Sequence, residues 1–402
     1  MTGQAMQGWL RADGHKGICN TVVVAYLVEC AHHVACEITC PFEGQDVHVI
    51  GFPGCFPNDY AQGMMEALCT HQTVGAVLLV SLGCENFQKR RLLEAIETSG
   101  RPAHLISIQD AGGTRASVTA GRNWVTDPIR QIANVPKAEM TPADPVIGTI
   151  CGGSEATSGI AGNPAAGRAF DRLVAEGATC IFEETGELIG FEHVKAEGAV
   201  SPELGDALVE TVQKAVRYYD TMGDGSFSQG NAEGGLSTIE EKSLGAYAKS
   251  GASPISGIVK PGERPPTAGL YLMDVVPDGT PRFGFPNIND TAEIVELIAW
   301  GAHAVIFATG RGSAVGSAIS PVLKVCANPE TFARMGEDMD VNAGRVVRDA
   351  AGLDEVDAEI RDKLVALAHG SRTASEDLGH HEFALTSKVF EPLGPACLQV
   401  AG

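Results

Sequence analysis

An α/β fold follows from two features of the chain. Short apolar runs alternate with amphipathic helical stretches, and glycine-containing loops recur where those runs end. Residues 48–51 read as a strand, 58–71 as a helix, 74–82 as a strand, 86–99 as a helix and 104–109 as a third strand. Two successive strand–helix–strand units of this kind make a Rossmann-like, doubly wound layer, because right-handed crossovers lay each helix back on the sheet. The loops after these strands carry Gly54-Cys55, Gly83-Cys84-Glu85 and Gly112-Gly113-Thr114-Arg115. Ligands gather at that edge of such sheets, where helix N-termini converge.

A polar, proline-containing stretch at 134–145 reads as a linker, which divides the chain into an N-terminal α/β domain (1–140) and a C-terminal one (141–402). The second layer is larger and more irregular. It starts with a strand at 146–150 that ends in Cys151-Gly152-Gly153-Ser154, then a helix at 164–176 with proline in its first turn and Gly177 just past its end. A strand at 178–182 opens into Glu183, Glu184 and Glu187, and 201–219 is helical. Further strands fall near 256–259, 270–276 and 304–308, with helices at 291–300 and 353–369.

Composition narrows the function classes. The 402 residues carry 50 acidic against 29 basic side chains, a formal charge of −21. Such a surface repels phosphate backbones and anionic lipid, so neither a nucleic-acid nor a membrane partner is expected, and an anionic substrate needs a local basic pocket. The longest apolar runs are too short to span a bilayer, and the first ten residues lack the charged start and long apolar core of a signal peptide. The eleven cysteines contain no CxxC pair. A reduced, cytoplasmic protein is the expectation.

The most informative stretch for chemistry is 223–251, GDGSFSQGNAEGGLSTIEEKSLGAYAKSG. Its glycines, Gly234 and Gly235 among them, permit turns that bring backbone N–H groups to an anion. Glu240, Glu241, Lys242 and Lys249 follow on a helix starting near Ser237, and Lys242 and Lys249, seven apart, share one face. The arrangement reads either as an anion cradle with a lysine base or charge clamp, or as a capped helix with ordinary charge pairs. In the run 308–316, ATGRGSAVG, the spacing misses a dinucleotide fingerprint by one residue. Arg311 with the amide of Gly312 suits a carboxylate or sulfonate better. Cys55, Cys84, Cys151 and Cys326 stand in or beside loops where thiols could bind a transition metal, or serve as small buried hydrophobes. Glu155, Glu183, Glu184 and Glu187 could hold a divalent metal through oxygen, with capping and solvation as the plainer reading. His32, His33, His380 and His381 read as packing or surface residues.

Taken together, these stretches resemble the altronate/galactarate dehydratase family of sugar-acid lyases. The resemblance is carried by GWLRADGHKGICN (8–20), SLGCE (81–85), ICGGSEATSGIAGNPAAG (150–167), FEETGELIG (182–190), GNAEGGLSTIEEKSLGAYAKSG (230–251), ATGRGS (308–313), PVLKVCAN (321–328) and DMDVNAG (338–344). Family members acting on sugar acids begin with a further small domain of about ninety residues, whereas the GWLRADG stretch here starts at Gly8. They also carry a His-bearing Gly-Cys loop where this chain has GFPGCFPNDY (51–60). The stretches AYLVECAHHVA (25–35), GFPGC (51–55) and VVPDGTPRFGFPN (275–287) are similar to a split branch of the family. That branch has a separate small subunit and eliminates sulfite from (2R)-3-sulfolactate to give pyruvate. Relatives carry arginine where this chain has His15 and Cys19.

What the resemblance implies is β-elimination: proton removal beside a carboxylate, then loss of an anion from the next carbon. It implies a divalent metal, Fe²⁺ or Mn²⁺, to stabilise the doubly charged ene-diolate, a small partner subunit of about ninety residues, and a higher oligomer. For a dianionic substrate the expected cations are Lys242, Lys249 and Arg311, with Arg11 and Lys16 in support. Asn20, Gly234 and Gly235 join them in binding, Glu241 acts with the lysines, and Cys55, Cys84, Cys151 and Cys326 are candidate metal ligands. Dehydration of a sugar acid is the alternative, and His15 and Cys19 leave open a third reading, a non-catalytic binding subunit.

Overall fold

A computed structural model of the chain describes residues 5–183, 185–222, 226–277, 289–349, 351–385 and 387–388. The expected α/β class is what it shows, with parallel sheets as the framework. Fourteen strands are defined among the described residues: β1 Gln7–Leu10, β2 Lys16–Gly17, β3 Thr21–Tyr26, β4 Val47–Gly51, β5 Val74–Ser81, β6 Ala103–Ser107, β7 Lys137–Glu139, β8 Val146–Cys151, β9 Thr179–Phe182, β10 Ile255–Val259, β11 Gly269–Met273, β12 Ala304–Thr309, β13 Val322–Cys326 and β14 Val341–Asn342. They form a four-stranded parallel sheet in the order β4-β3-β5-β6 and a seven-stranded parallel sheet in the order β10-β11-β9-β8-β12-β13-β14. A small antiparallel sheet, β2-β1-β7, uses residues from the stretch expected to be only a linker.

The layers follow from where apolar side chains can be buried. All eight residues of β5 are buried, as an inner parallel strand covered on both faces requires. One core cluster joins the facing sides of both sheets through the helices Asp59–Cys69, Lys89–Thr98 and Asp290–Ala299. A second covers the far face of the seven-stranded sheet with the helices Asn163–Glu176, Pro202–Met222 and Leu353–Ala368. A third covers the outer face of the four-stranded sheet, against His32–Thr39 and Thr114–Ala133.

Local signals account for the boundaries that position the site. Asn58 caps the helix Asp59–Cys69, its side chain accepting from the Ala61 N–H at 3.0 Å. The helix Asn163–Glu176 ends on Gly177 at φ 103°, the left-handed cap that glycine supplies. Asn289 caps Asp290–Ala299, which is buried at every position from Ala292 to Ala299. No helix among the described residues is long and apolar enough to cross a membrane.

Candidate active site

Strand β8 has β9 on one side and β12 on the other, so the chain reverses its direction of travel across the sheet there. Crevices form at such switch points because the loops after adjacent strands diverge. A cavity of about 540 Å³ opens beyond the end of β8, lined in part by Cys151, Glu187, Lys242, Asp290 and Glu293. Gly152 makes room for it: a Cβ there would stand 2.1 Å from Oδ2 of Asp290 and 2.5 Å from the Phe307 ring.

At the cavity floor Glu187 is held by two lysines. Lys242 Nζ lies 2.7 Å from Oε1 and Lys249 Nζ lies 3.0 Å from Oε2. The Cys151 thiol donates to Oε2 at 3.0 Å, and Lys249 Nζ stands 3.4 Å from the same sulfur. Burial pushes that thiol up to about 12, with Glu187 adding to the effect, so sulfur stays protonated at neutral pH. Burial pulls the Lys242 ammonium down, but the Glu187 carboxylate more than offsets it and the pKa ends above the ordinary lysine value. Lys242 is therefore a fixed cation and not a base. Lys249 is 2% exposed and comes from the tight turn Ala248–Ser250. That turn packs on the helix Asn163–Glu176 through Gly167, where a Cβ would meet the Ala248 carbonyl oxygen at 2.0 Å.

A second group stands behind the first. Glu183, directly after β9, and Glu293, in the first turn of its helix, are both buried. Burial raises Glu183 well above the carboxylate range and Glu293 to about 8, with neighbouring acids contributing. Glu296 of the same helix takes Lys388 Nζ at 2.5 Å and also accepts from the Tyr60 hydroxyl. Asp290, at the cavity, is raised above the usual aspartate value by burial and then by Glu187.

Of the residues expected from sequence, Lys242 and Lys249 meet at one carboxylate, and Cys151 joins them. That carboxylate, Glu187, is itself one of the candidates, as is Glu183 behind it; the remaining ones lie elsewhere. Arg311 does not line the cavity: its Nη1 donates to the Gly230 carbonyl at 2.5 Å and contacts Glu233 at 3.4 Å, which ties down the short helix Gln229–Glu233. The Gly312 N–H is taken by Thr309 Oγ1. Gly234 and Gly235 follow the end of that short helix, Gly234 against Ser154 and Glu155 and Gly235 near Ala156. Glu241 accepts from the Ser237 N–H and hydroxyl as an exposed cap. Arg11 is bound to the Gln72 and Cys19 carbonyls and to Asn20, while Asn20 also donates to Ile132; both are structural. Lys16 pairs with Asp144 at 2.8 Å. His15 lies against Asp13, and Cys19 lines a separate cavity of about 220 Å³, so neither has removed a charge from the main one. Glu155 accepts from Thr157, an ordinary turn, and Glu184 lies outside the described residues.

The four thiols do not assemble into a metal centre. Cys55 and Cys84 are exposed in loops after β4 and β5, Cys151 belongs to the lysine cluster, and Cys326 donates to the Asn328 carbonyl at 3.3 Å. Among the described residues no three His, Cys, Asp or Glu side chains are arranged to hold a metal ion. Asp290 and Glu293 escaped the sequence reading because both look like ordinary first-turn acids. A signal was present, since TAEIVELIAW (291–300) is apolar on all sides and a helix of that kind is buried whole, glutamates included.

Fold and site define an α/β protein with a cavity at the C-terminal edge of a parallel sheet, where two lysines clamp one glutamate. Residues 143–390 match the family model for the D-galactarate/altronate dehydratase C-terminal region, and 8–133 match that for the D-galactarate dehydratase/altronate hydrolase second domain. The chain belongs to this family. It is 29% identical to a (2R)-sulfolactate sulfo-lyase subunit beta of Chromohalobacter salexigens over 96% of this chain and 98% of that one. It is 28% identical to altronate dehydratase of Escherichia coli, over 94% of this chain and 77% of the relative. With galactarate dehydratase (L-threo-forming) of the same organism it shares 33% over 79% and 60%.

Proposed function

We propose that this chain is the large subunit of a lyase that expels sulfite from (2R)-3-sulfolactate to give pyruvate, working with a small partner subunit. The carrying observation is the cluster in which two buried ammoniums are fixed by the Glu187 carboxylate beside a cavity in a strongly acidic chain. Supporting it is the end-to-end match to a protein named as a subunit of that activity. The substrate's anionic end sits against Lys242, the more accessible of the two lysines (13% against 2% side-chain exposure). Asp290, made more basic by burial, removes the C2 proton, and the charge that develops on the carboxylate is met by the ammoniums. The electrons of the C–H bond form the C2=C3 double bond, the C3–S bond breaks with its pair on sulfite, and the enol becomes the 2-oxo acid.

A second reading, dehydration of a sugar acid, is favoured by one observation: about 540 Å³ is roomy for a three-carbon sulfonate. Sulfite release and 2-oxo acid formation separate the two. The large chain with its partner should release sulfite from sulfolactate and leave altronate untouched. Dehydration of altronate without sulfite release would reverse the assignment, and full activity of the large chain alone would remove the partner. The proposal includes a divalent ion, iron or manganese, as a requirement of the assembled enzyme. Chelation should then abolish turnover and Fe²⁺ or Mn²⁺ restore it, while undiminished rates in metal-free protein would dispose of the requirement.

A further inference from the structure

The buried carboxyls of Glu183 and Glu293 carry a role distinct from that of the lysine clamp. Glu183 is 1% exposed, and neither of its oxygens meets a hydrogen-bond donor. Glu293 is its neighbouring carboxyl, and two carboxyls bond to each other only when one holds a proton. The groups facing the pair are Asp290 and Glu296 on the Glu293 helix, Tyr219 on the helix Pro202–Met222, Lys242 and Lys249 from the segment after it, and Lys388. The cations there are already committed: Lys388 contacts Glu296, and both other lysines contact Glu187. Two bare carboxylates side by side in this surrounding would be desolvated without a dedicated counter-ion, so the pair retains a proton at neutral pH. Glu183 has no opening to the cavity lining, whereas Glu293 is part of it.

We propose that Glu293 is the proton donor of this cavity, that it shares its proton with Glu183, and that it protonates the departing group. The inference rests on the β-elimination reading. As the C3–leaving-group bond breaks, its electron pair goes to the leaving group and the Glu293 O–H proton follows. Sulfite leaves as hydrogensulfite, or hydroxide as water, and Glu293 becomes a carboxylate that solvent reprotonates. Glu293 touches the reacting group and is catalytic in this scheme; Glu183, which acts through it, is a positioning residue.

Infrared difference spectra of the full chain with its partner subunit test the shared proton without substrate. A protonated-carboxyl band should be present at pH 7; its Glu293 component should fade as pH rises through about 8 and be missing in Glu293→Gln, while the buried Glu183 carboxyl keeps its own. A wild-type protein without the band, or a Glu293→Gln protein whose band is undiminished, overturns the proposal. In turnover, Glu293→Gln should lower kcat about 100-fold. Wild-type kcat should fall on the alkaline side, since the acid form is the active one. Glu183→Gln should move that limb to lower pH by removing a neighbouring negative charge, and an unmoved limb refutes the sharing. A protein that shows the band but turns over neither acid loses the lyase reading and keeps the shared proton. One that turns over an acid without the band does the reverse.

Discussion

Glu187→Ala is expected to destabilise the fold by about 3–5 kcal/mol, the usual consequence of leaving a buried charge without its partner. The carboxylate is 8% exposed and is bonded by Lys242, Lys249 and the Cys151 thiol. Removing it takes the carboxylate away from the Lys249 ammonium, which is 2% exposed and keeps its contact to the Cys151 sulfur at 3.4 Å. Urea unfolding of the variant should show a lower midpoint with an unchanged slope, since the same surface is exposed on unfolding. A companion variant, Glu187→Leu with Lys249→Met, removes two of the three charges and should recover part of the loss, because an apolar pair of similar volume replaces a buried ion pair at little cost while Lys242 keeps the Ser226 carbonyl. Catalysis should not return with it. A single alanine variant as stable as wild type would mean that the cluster is hydrated in solution and that Glu187 does not anchor the clamp.

The legible part of this protein is what depends on local periodicity. The strands at 74–81, 146–151 and 304–309, and the helices at 59–69 and 163–176, are apolar runs and capped amphipathic stretches whose signal lies within ten or twenty residues. The strand Thr21–Tyr26 was missed although it is an inner strand of its sheet and its first five residues are buried. The site was half legible. Lys242 and Lys249, seven apart, can be paired on paper, although Lys249 stands in the turn just past the helix; Glu187 reaches them from the loop after β9, and that partnership is tertiary. Arg311 misled because guanidinium chemistry predicts an oxyanion without saying which one: the structure gives it a carbonyl and Glu233 of its own chain. The cysteines misled in the same way, since regular Gly-Cys loops say nothing about whether sulfurs on two different sheets converge.

Lys242→Ala is expected to lower kcat/KM by about 100- to 1,000-fold, the usual consequence of removing one fixed charge that meets a developing anion. The reasoning starts from its surroundings: Lys242 lines the cavity, is fixed by Glu187 at 2.7 Å and by the Ser226 carbonyl at 3.0 Å, and stays protonated well above neutral pH. Such a cation has already given up its hydration and needs no reorganisation when charge builds on the substrate carboxylate. The fall should appear in kcat as well as KM, because the ene-diolate carries one more negative charge than the substrate and interacts more strongly with the ammonium. Lys242→Arg keeps the charge but not the compact geometry, so it should recover only part of the rate. Stability should change far less than in Glu187→Ala, since Glu187 keeps Lys249 and the Cys151 thiol. Steady-state kinetics across the three proteins, read beside their urea midpoints, decides the matter. An alanine variant with wild-type kcat and only a raised KM would reduce Lys242 to a binding contact, and the charge clamp would have to be sought at Lys249.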